Sequence, residues 1–368
     1  MPQPCSVLFL MEDLCFGGTQ RQTIELARRL DRERFSPSML MLTGPTDLDE
    51  VAAAADIPLA YLGSGRRVAR LFFLRLGGAL KRAAPDILVP CTALPNIWGP
   101  IWGRIVGIPA IIGTCRGGGA LIRQHERFLW RLCDHHVCNS EALAAGLRKL
   151  GEPAGRISYI PNGVDTVRFQ PGPVPPSERP PLILCVGRLA QDKGHLTLLR
   201  AFAIVAREMP EARLRLVGDG PQEAQLRLLA GTFGLEDRVE FVPGSPDVRE
   251  HYDAARIFAL ASVREGQPNV ILEAMSCGLP VCATAVGGIP GLVDNGVTGL
   301  LSPAGYAEAF AASLLRLLGD PPLGDALGRA GRERAERDFS FAVMVAAHEE
   351  LFDRLHRSGR GAREETDA

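Results

Sequence analysis

Residues 6–30 read SVLFLMEDLCFGGTQRQTIELARRL, which is a short apolar run, a turn with two glycines, and a longer run with apolar residues at helical spacing. A buried strand that leads through a tight turn into a helix is the repeating unit of doubly wound α/β folds. Residues 182–208 show the same succession, from LILCVG into a helical run that follows GHL. We therefore predict an α/β chain with two parallel sheets, each flanked by helices.

This alternation is interrupted by PGPVPPSERPP, residues 171–181. Proline at this density can neither continue a helix nor occupy a central strand, so the segment is predicted to be an interdomain linker. The predicted order is a first α/β domain, this linker, a second α/β domain, an amphipathic helix and a charged disordered tail. Their predicted bounds are residues 1–170, 171–181, 182–338, 339–356 and 357–368.

The composition is that of a soluble globular protein, with 46% hydrophobic and 23% charged residues. A formal net charge of -1 gives no reason to expect a nucleic-acid partner. The nine cysteines form no C-x-x-C pair, which favours small apolar filler over zinc ligands or disulfides. The first residues lack the basic and apolar pattern of a secretion signal, so a cytoplasmic location is expected.

Two cations follow a predicted strand in GRLAQDKG, residues 187–194. Ligands of doubly wound sheets bind at the carboxyl ends of the strands, so Arg188 and Lys193 are candidates for binding a diphosphate. Arginine can hold phosphate oxygens in pairs, and lysine acts as a mobile point charge. Surface loops with arginine and lysine are common, however, so this stretch alone leaves both interpretations open.

A more specific motif is SVREGQPNVILEAMSCGLPV, residues 262–281. Glu265 stands in a glycine-containing loop, Pro268 and Asn269 open a predicted helix, and Glu273 lies one turn inside it. The free N–H groups of the first helical turn attract phosphate oxygens. The helix dipole alone would explain Glu265, but it explains a glutamate inside the apolar VILEAM run poorly.

Glycines at other strand ends give weaker signals. Gly218 and Gly220 in GDGP permit close approach of the backbone to a planar base, although the same letters are also an ordinary turn signal. Gly17 and Gly18 join the first strand to its helix, where their amides can face a phosphate. They do not form G-x-G-x-x-G, which counts against a dinucleotide cofactor and an oxidoreductase.

Taken together, several motifs resemble glycosyltransferase family 4, the retaining GT-B enzymes, over roughly residues 5–355. They are GGTQRQTIELA at 17–27, CNSEAL at 138–143, IPNGVD at 160–165, VGRLAQDKG at 186–194, VGDGP at 217–221 and EGQPNVILEAMSCGLPV at 265–281. The resemblance implies two Rossmann-like domains that face each other across a cleft, with the C-terminal helix crossing back to the first.

The resemblance also implies an activity. A hexosyl unit would move, with retention, from a nucleotide-diphosphate sugar, UDP-sugar being favoured, to a glycan or lipid-linked acceptor in cell-surface polysaccharide or glycolipid assembly. Neither a metal ion nor a cofactor is expected. Alternatives are a sugar-nucleotide epimerase that shares the fold and a non-catalytic scaffold that binds nucleotide sugars.

The resemblance assigns roles to individual residues. Arg188 and Lys193 would hold the donor diphosphate, Glu273 the ribose hydroxyls and Glu265 the transferred sugar. Further donor contacts would come from the backbone of residues in both domains, namely Gly17, Gly18, Gly218, Gly220, Gly266, Pro268, Asn269 and Val270.

The sequence departs from the family pattern at two positions. In TCRGGG, Arg116 stands where many members have histidine, and we interpret it as an active-site residue. The family's GG-x-P-E is GGIPG here, with Gly291 in place of glutamate.

Residues 65–86 concentrate positive charge around apolar side chains and are predicted to form a basic amphipathic helix. Such a helix can lie on an anionic membrane surface. The sequence leaves equally open the alternative of a domain helix with a solvated basic face. The cations are Arg66, Arg67, Arg70, Arg75, Lys81 and Arg82, and the apolar residues are Leu71, Phe72, Phe73, Leu74 and Leu76.

Overall fold

The computed structural model describes residues 3–117 and 129–364. The chain divides into two compact units, one formed by the residues up to Asn162 together with those from Phe341 onward, the other by Gly163–Ser340. Each unit contains one parallel sheet with helices packed around it. The α/β class and the two doubly wound domains are as predicted from the alternating pattern.

The first unit contains a seven-stranded parallel sheet in the order β3-β2-β1-β4-β5-β6-β7. Its strands are Cys5–Met11 (β1), Phe35–Met41 (β2), Leu59–Tyr61 (β3), Ile87–Pro90 (β4), Ala110–Cys115 (β5), His135–Cys138 (β6) and Ile157–Tyr159 (β7). Its helices before the second unit are Gly18–Arg29 (α1), Asp49–Ala53 (α2), Phe72–Ala83 (α3), Ala93–Val106 (α4) and Glu141–Lys149 (α5). The strand order reverses between β1 and β4, which is where ligands of such sheets bind.

The second unit contains a six-stranded parallel sheet in the order β10-β9-β8-β11-β12-β13. Its strands are Leu182–Val186 (β8), Arg213–Val217 (β9), Val239–Val242 (β10), Ile257–Leu260 (β11), Val281–Thr284 (β12) and Gly299–Ser302 (β13). Its helices are His195–Glu208 (α6), Glu223–Thr232 (α7), Arg249–Ala254 (α8), Asn269–Ser276 (α9), Ile289–Leu292 (α10), Ala307–Gly319 (α11) and Pro321–Phe339 (α12). Here the order reverses between β8 and β11, the strands that precede the two strongest motifs.

The last helix, Phe341–Glu364 (α13), belongs to the first unit, as the predicted crossing back requires. Met344 and Phe352 are buried in the core of that unit, and the ring of Phe352 meets that of Phe35 edge to face. The predicted bounds of this helix, 339–356, were wrong, and the predicted disordered tail, 357–368, is helical as far as Glu364, while its residues 365–368 lie outside the described part of the chain. Phe339 ends α12 instead, and α13 continues to Glu364.

The predicted linker also lies elsewhere. Residues 171–181 are part of the second unit, and the chain leaves the first unit between Asn162 and Gly163. Phe169 is buried in the second core, and the guanidinium of Arg179 donates to the carbonyls of Val174, Tyr252 and Ala255. These contacts hold the proline-rich stretch against the surface of the second unit. In such an irregular segment, the fixed φ angles of proline do not interrupt a helix or a strand.

The basic segment 65–86 is helical only over α3. Phe72 faces the core rather than solvent, and Phe73 stacks on Trp98 with ring centroids 5.0 Å apart. Leu71 and Leu74 are the large apolar side chains of this segment that stay exposed, at 62% and 60%. Among the helices in the described part of the chain, none combines the length and the apolar character needed to cross a bilayer.

Candidate active site

The centre of the candidate site is an ion pair at the carboxyl edge of the second sheet. Lys193 ends a 3-10 turn that follows β8, and Glu265 lies in the loop after β11. The backbone N–H of Val263 donates to the carbonyl of Asp192 at 2.8 Å, which ties the two loops together. The ammonium nitrogen of Lys193 then lies 2.7 Å from Oε1 of Glu265. Lys193, predicted to bind the diphosphate, and Glu265, predicted to bind the sugar, are thus direct neighbours.

A buried serine holds the Glu265 carboxylate in position. The hydroxyl of Ser262 donates to the same oxygen, Oε1, at 2.8 Å, and the Ser262 carbonyl accepts from the hydroxyl of Thr284 at 2.6 Å. The Glu265 side chain is 8% exposed, whereas Lys193 keeps 22% of its side chain exposed. The carboxylate is therefore pre-oriented, and the cation keeps access to solvent.

The second carboxylate, Glu273, is held by a tyrosine. It lies within α9, and the phenol of Tyr252 on α8 donates to its Oε2 at 2.8 Å. Tyr252 has no exposed surface, and its ring packs edge to face on Phe169. Glu273 is itself buried, so α8 and α9 together determine where its carboxylate points.

The start of α9 provides backbone donors next to these carboxylates. Its N-cap is Pro268, which has no side-chain hydrogen bond to offer to the first-turn amides, and the helix begins at Asn269 as predicted. Gly266 precedes the cap in the same loop, and Val270 continues the helix. An uncapped helix start at the carboxyl edge of a sheet suits a phosphate group.

Arg188, the other predicted diphosphate ligand, follows β8 on the same loop as Lys193. Its side chain is 68% exposed, and its Nη2 lies 3.7 Å from Oδ1 of Asp192. This weak surface contact leaves the guanidinium free to reorient toward a ligand.

The glycines after β9 are tightly packed against a neighbouring loop. A Cβ at Gly218 would lie 2.1 Å from the carbonyl oxygen of Gly187, and one at Gly220 would lie 2.3 Å from that of Leu189. Both glycines are therefore required by the packing of the GDGP loop on the loop after β8. A similar constraint acts at Gly287, where φ is +55° and a Cβ would lie 1.8 Å from the carbonyl oxygen of Glu265.

The predicted residues of the first unit lie at the carboxyl edge of its own sheet. Gly17 is the N-cap of α1, has extended backbone and makes no side-chain cap bond, and Gly18 is the first helical residue. Arg116 directly follows β5, and its Nη1 donates to Oδ1 of Asn162 at 3.3 Å. Gly291, in α10 of the second unit, has open space where a Cβ would be.

Ser262, Thr284 and Tyr252 are the functional residues that sequence reasoning missed. Ser262 begins the very motif that contains Glu265, so its place at a strand end was a usable signal. Tyr252 lies 21 positions before Glu273 and reaches it only through tertiary packing.

A cluster of metal-ligand types occurs elsewhere in the described residues. One ligand atom each of Cys5, Asp86 and His356 lie within 4.8 Å of one another in the first unit. Neither Glu265 nor Glu273 belongs to this cluster.

Comparison with known proteins identifies the family of both units. Residues 16–168 match the family described as Glycosyltransferase Family 4, and residues 180–320 match the one described as Glycosyl transferases group 1. The chain belongs to glycosyltransferase family 4. The resemblance seen in the motifs is thereby confirmed, and the two matches together include every predicted site residue.

Relatives of this family 4 chain come from polysaccharide and glycolipid assembly. The putative colanic acid biosynthesis glycosyltransferase WcaL of Escherichia coli K12 is 36% identical over 59% of the chain. The GDP-mannose-dependent alpha-(1-6)-phosphatidylinositol monomannoside mannosyltransferase of Mycolicibacterium smegmatis is 32% identical over 54% of the chain. The chain spans 55% and 56% of these relatives' lengths, about half of each.

The fold agrees with solved GT-B structures. HepE from Anabaena, crystallised in complex with UDP-glucose, superposes with a TM-score of 0.83 at 22% identity, over 95% of this chain and 99% of that one. The predicted GT-B fold is thereby confirmed.

Proposed function

We propose that this chain is a retaining, metal-independent glycosyltransferase that moves a hexosyl unit from a nucleotide-diphosphate sugar to a glycan or lipid-linked acceptor. The observation that carries the proposal is the Lys193–Glu265 ion pair beside the uncapped start of α9. It combines a cation for the leaving group with a carboxylate for the sugar, at the switch point of a doubly wound sheet.

Departure of the nucleoside diphosphate is the step that the positive groups assist. Arg188, Lys193 and the first amides of α9 stabilise the negative charge that develops on the phosphate oxygens. In the ligand-free chain Lys193 is neutralised by Glu265, and an arriving diphosphate would share it. The lysine would then lie between a carboxylate and a phosphate, which matches charge without a metal ion.

Glu265 acts on the sugar. Its carboxylate accepts hydrogen bonds from sugar hydroxyls, and its negative charge favours an oxocarbenium-like transition state. The bond from the anomeric carbon to the diphosphate oxygen breaks, and the acceptor oxygen bonds from the face that the leaving group vacates. Because attack comes from that face, the anomeric configuration is retained without a covalent enzyme intermediate. The acceptor proton passes to the departing phosphate.

Glu273 holds the nucleoside. A buried carboxylate oriented by Tyr252 can accept from both ribose hydroxyls, and such a contact is equally strong before and during the reaction. It therefore contributes to donor affinity rather than to turnover.

A UDP-sugar is the favoured donor, and the mannosyltransferase relative, whose name specifies GDP-mannose, supports GDP-sugars as the alternative. The same two relatives support the acceptor class, because their names refer to colanic acid and to a phosphatidylinositol mannoside.

We also propose cytoplasmic action with peripheral attachment to an anionic membrane. Leu71 and Leu74 are exposed at the start of α3, between Arg67 and Arg70 on one side and Arg75 on the other. We call these five residues the basic apolar patch. Exposed leucines flanked by arginines can insert at the headgroup boundary while the charges bind acidic lipids.

The test is product analysis by NMR with UDP-, GDP- and ADP-sugars, with and without an acceptor extract of bacterial glycolipids. Release of nucleoside diphosphate together with an α-linked product from an α-linked donor is expected. An epimerised nucleotide sugar would instead identify an epimerase. Tight donor binding without any turnover would identify a non-catalytic scaffold.

A further inference from the structure

Three side chains of metal-ligand type meet at the amino edge of the first sheet, the edge at which its strands begin. Cys5 is the first residue of β1, and Asp86 immediately precedes β4, the strand that pairs with β1. His356 reaches this edge from α13. The thiol sulfur, a carboxylate oxygen and a ring nitrogen of these residues lie within 4.8 Å of one another. The predicted substrate residues of this unit follow strands at its carboxyl edge, so they do not account for the cluster.

Hydrogen bonds from Ser6 orient the Asp86 carboxylate. The backbone N–H and the hydroxyl of Ser6 both donate to Oδ2 of Asp86 at 2.8 Å. The other oxygen, Oδ1, lies 4.0 Å from Nδ1 of His356, which is too long for a hydrogen bond. Carboxylates that ligate metal ions are commonly held in this way by hydrogen bonds from a neighbouring residue. Asp86 is therefore oriented by one oxygen and directs the other toward the remaining members of the cluster.

The contacts of α13 determine where His356 lies. Glu349, Asp353 and His356 follow one another at spacings of four and three residues, so they share one face of the helix. Glu349 and Asp353 both pair with the guanidinium of Arg34. The carbonyl of Arg34 in turn accepts from the backbone N–H of Cys5 at 2.8 Å. These bonds fix the register of α13 on the sheet, and the next residue of the same face, His356, therefore lies beside the start of β1.

The donor atoms of the cluster match those of zinc sites. Zinc binds cysteine sulfur at about 2.3 Å and histidine nitrogen or carboxylate oxygen at about 2.0–2.2 Å. In a tetrahedral site these bond lengths place the ligand atoms about 3.5 Å apart, so movements of about 1 Å would bring the three together. Cys5 is 4% exposed, whereas the side chains of Asp86 and His356 keep 32% and 17% of their surface exposed. The two exposed ligands can make this movement, and a cation can reach them from solvent.

We propose that Cys5, Asp86 and His356 bind one divalent cation of the zinc class at the amino edge of the first sheet. Cys5 ligates as the thiolate and releases its proton to solvent on binding, and a water molecule fills the fourth position. The cation joins the first strand of the chain to its last helix, so it stabilises the first unit. The inference does not rest on the proposed function, whose donor-binding residues Lys193 and Glu265 belong to the other unit.

The test uses the full chain, freed of metal with EDTA, dialysed and kept under nitrogen. It is titrated with Co²⁺, because a bond between Co²⁺ and a thiolate absorbs in the near ultraviolet, and Zn²⁺ is then added to displace the Co²⁺. The variants are Cys5→Ser and His356→Gln. Cys15→Ser, at a partly exposed cysteine of the same unit, is the matched control for the first, and Glu349→Gln, on the same face of α13, is the control for the second.

Unfolding of the first unit is followed in parallel by tryptophan fluorescence. Trp98, Trp102 and Trp130, all the tryptophans of the chain, belong to this unit. A ligand that binds only the folded state raises the unfolding temperature, and the rise increases with the ratio of its concentration to its dissociation constant. Mg²⁺ is the comparison ion, since it prefers oxygen ligands to a thiolate.

One equivalent of Co²⁺ is expected to bind with a thiolate absorption band in the wild type and in both control variants. Cys5→Ser should lose the band, and His356→Gln should raise the dissociation constants of Co²⁺ and Zn²⁺ at least tenfold. Zn²⁺ should raise the unfolding temperature of the wild type and of Glu349→Gln, and raise that of His356→Gln less at the same concentration. Mg²⁺ should change none of these temperatures.

Two outcomes would overturn the proposal. One is that the wild type shows no thiolate band, or shows one that disappears in Cys15→Ser. The other is that His356→Gln binds Zn²⁺ as tightly as the wild type. This second variant keeps the test meaningful if Cys5→Ser does not fold, because His356 is partly exposed whereas Cys5 is buried. Failure of UDP to bind in EDTA would count against the proposed function instead, and the metal titration would still be measurable.

Discussion

The ammonium of Lys193 and the carboxylate of Glu265 lie 2.7 Å apart, although 72 positions separate them in the chain. Lys193→Ala should leave the Glu265 carboxylate buried, with its hydrogen bond from Ser262 but without its cation, and so destabilise the second unit by about 1–3 kcal/mol. Arg188→Ala removes an exposed cation from the same loop and should change stability by less than about 0.5 kcal/mol. Urea unfolding followed by circular dichroism measures both, and equal losses would contradict the importance of the pair.

The two glutamates are expected to affect different kinetic constants. Glu265→Gln should lower kcat by about 100-fold or more, because the negative charge matters most in the transition state. Glu273→Gln should mainly raise KM and the dissociation constant of the free nucleotide.

Tyr252→Phe is the matched control for Glu273, since it removes the hydrogen bond that orients the carboxylate and leaves the charge in place. It should shift nucleotide affinity in the same direction as Glu273→Gln, by a smaller factor. If Glu265→Gln and Glu273→Gln changed kcat and KM in the same proportions, the division of roles would be wrong.

Donor binding is expected to be independent of divalent metal. In the proposed mechanism, Lys193, Arg188 and the α9 amides supply the positive charge that a metal ion could otherwise provide. Calorimetry with UDP-glucose and GDP-mannose in excess EDTA should give the same dissociation constant as with added Mg²⁺ or Mn²⁺. A requirement for metal would show as binding that disappears in EDTA and returns with Mg²⁺.

Acid should destabilise the first unit through its buried histidines. Burial lowers the pKa of His348 and of His135 to about 4 in the folded chain, whereas an unfolded histidine has a pKa near about 6.5. The unfolded state therefore binds protons that the native state does not bind. The free energy of unfolding is highest above a pH of about 6.5 and falls as the pH decreases from about 6.5 to about 4.

His348→Gln removes one of the two titrating groups. The loss of unfolding free energy between pH 7 and pH 5, measured by tryptophan fluorescence in urea, should be smaller in this variant by on the order of 1–2 kcal/mol. An unchanged pH dependence would mean that the pKa of His348 is the same in the folded and the unfolded chain.

The succession of strands and helices was predictable because the apolar residues that become buried recur with a different spacing in strands and in helices. The carboxyl ends of the strands were predictable in the same way, which made Lys193 and Glu265 candidates. The roles predicted for them and for Glu273, which lies inside α9, came from the family's motifs. The prolines of residues 171–181 led to a wrong linker prediction. A high proline content indicates that a segment is neither a helix nor a central strand, but it does not indicate which domain the segment packs against. Arg179 holds that segment, and two of its three carbonyl partners belong to residues more than 70 positions away.

The glycines illustrate a second limit of sequence reasoning. Gly218 and Gly220 were expected at a strand end, and they are there, but the atoms that exclude a side chain belong to the neighbouring loop. A sequence indicates that a residue must be small without indicating what it is close to.

Membrane attachment should depend on the basic apolar patch. Wild-type protein is expected to float with vesicles that contain acidic lipids, less so as salt increases, because each nearby cation contributes about 1 kcal/mol that ions screen. Arg67→Glu with Arg70→Glu should abolish flotation, and Leu71→Ser with Leu74→Ser should weaken it at all salt concentrations.

Matched controls lie on the second unit, where Arg200 and Arg207 are exposed and Leu228 is 72% exposed. Arg200→Glu with Arg207→Glu, and Leu228→Ser, should leave flotation unchanged. If the wild type never floats, or if the control variants lose as much binding as the patch variants, the patch is a solvated domain surface.

The first unit is assembled from two separate stretches of chain, whereas the second is a single stretch, Gly163–Ser340. On the ribosome, the second unit can therefore complete its core while the first still waits for Phe352 and the rest of α13. The N-terminal part of the chain is synthesised first, but the unit to which it belongs is completed last. Until α13 leaves the ribosome, the apolar surface around Phe35 is exposed to chaperones and proteases in the nascent protein.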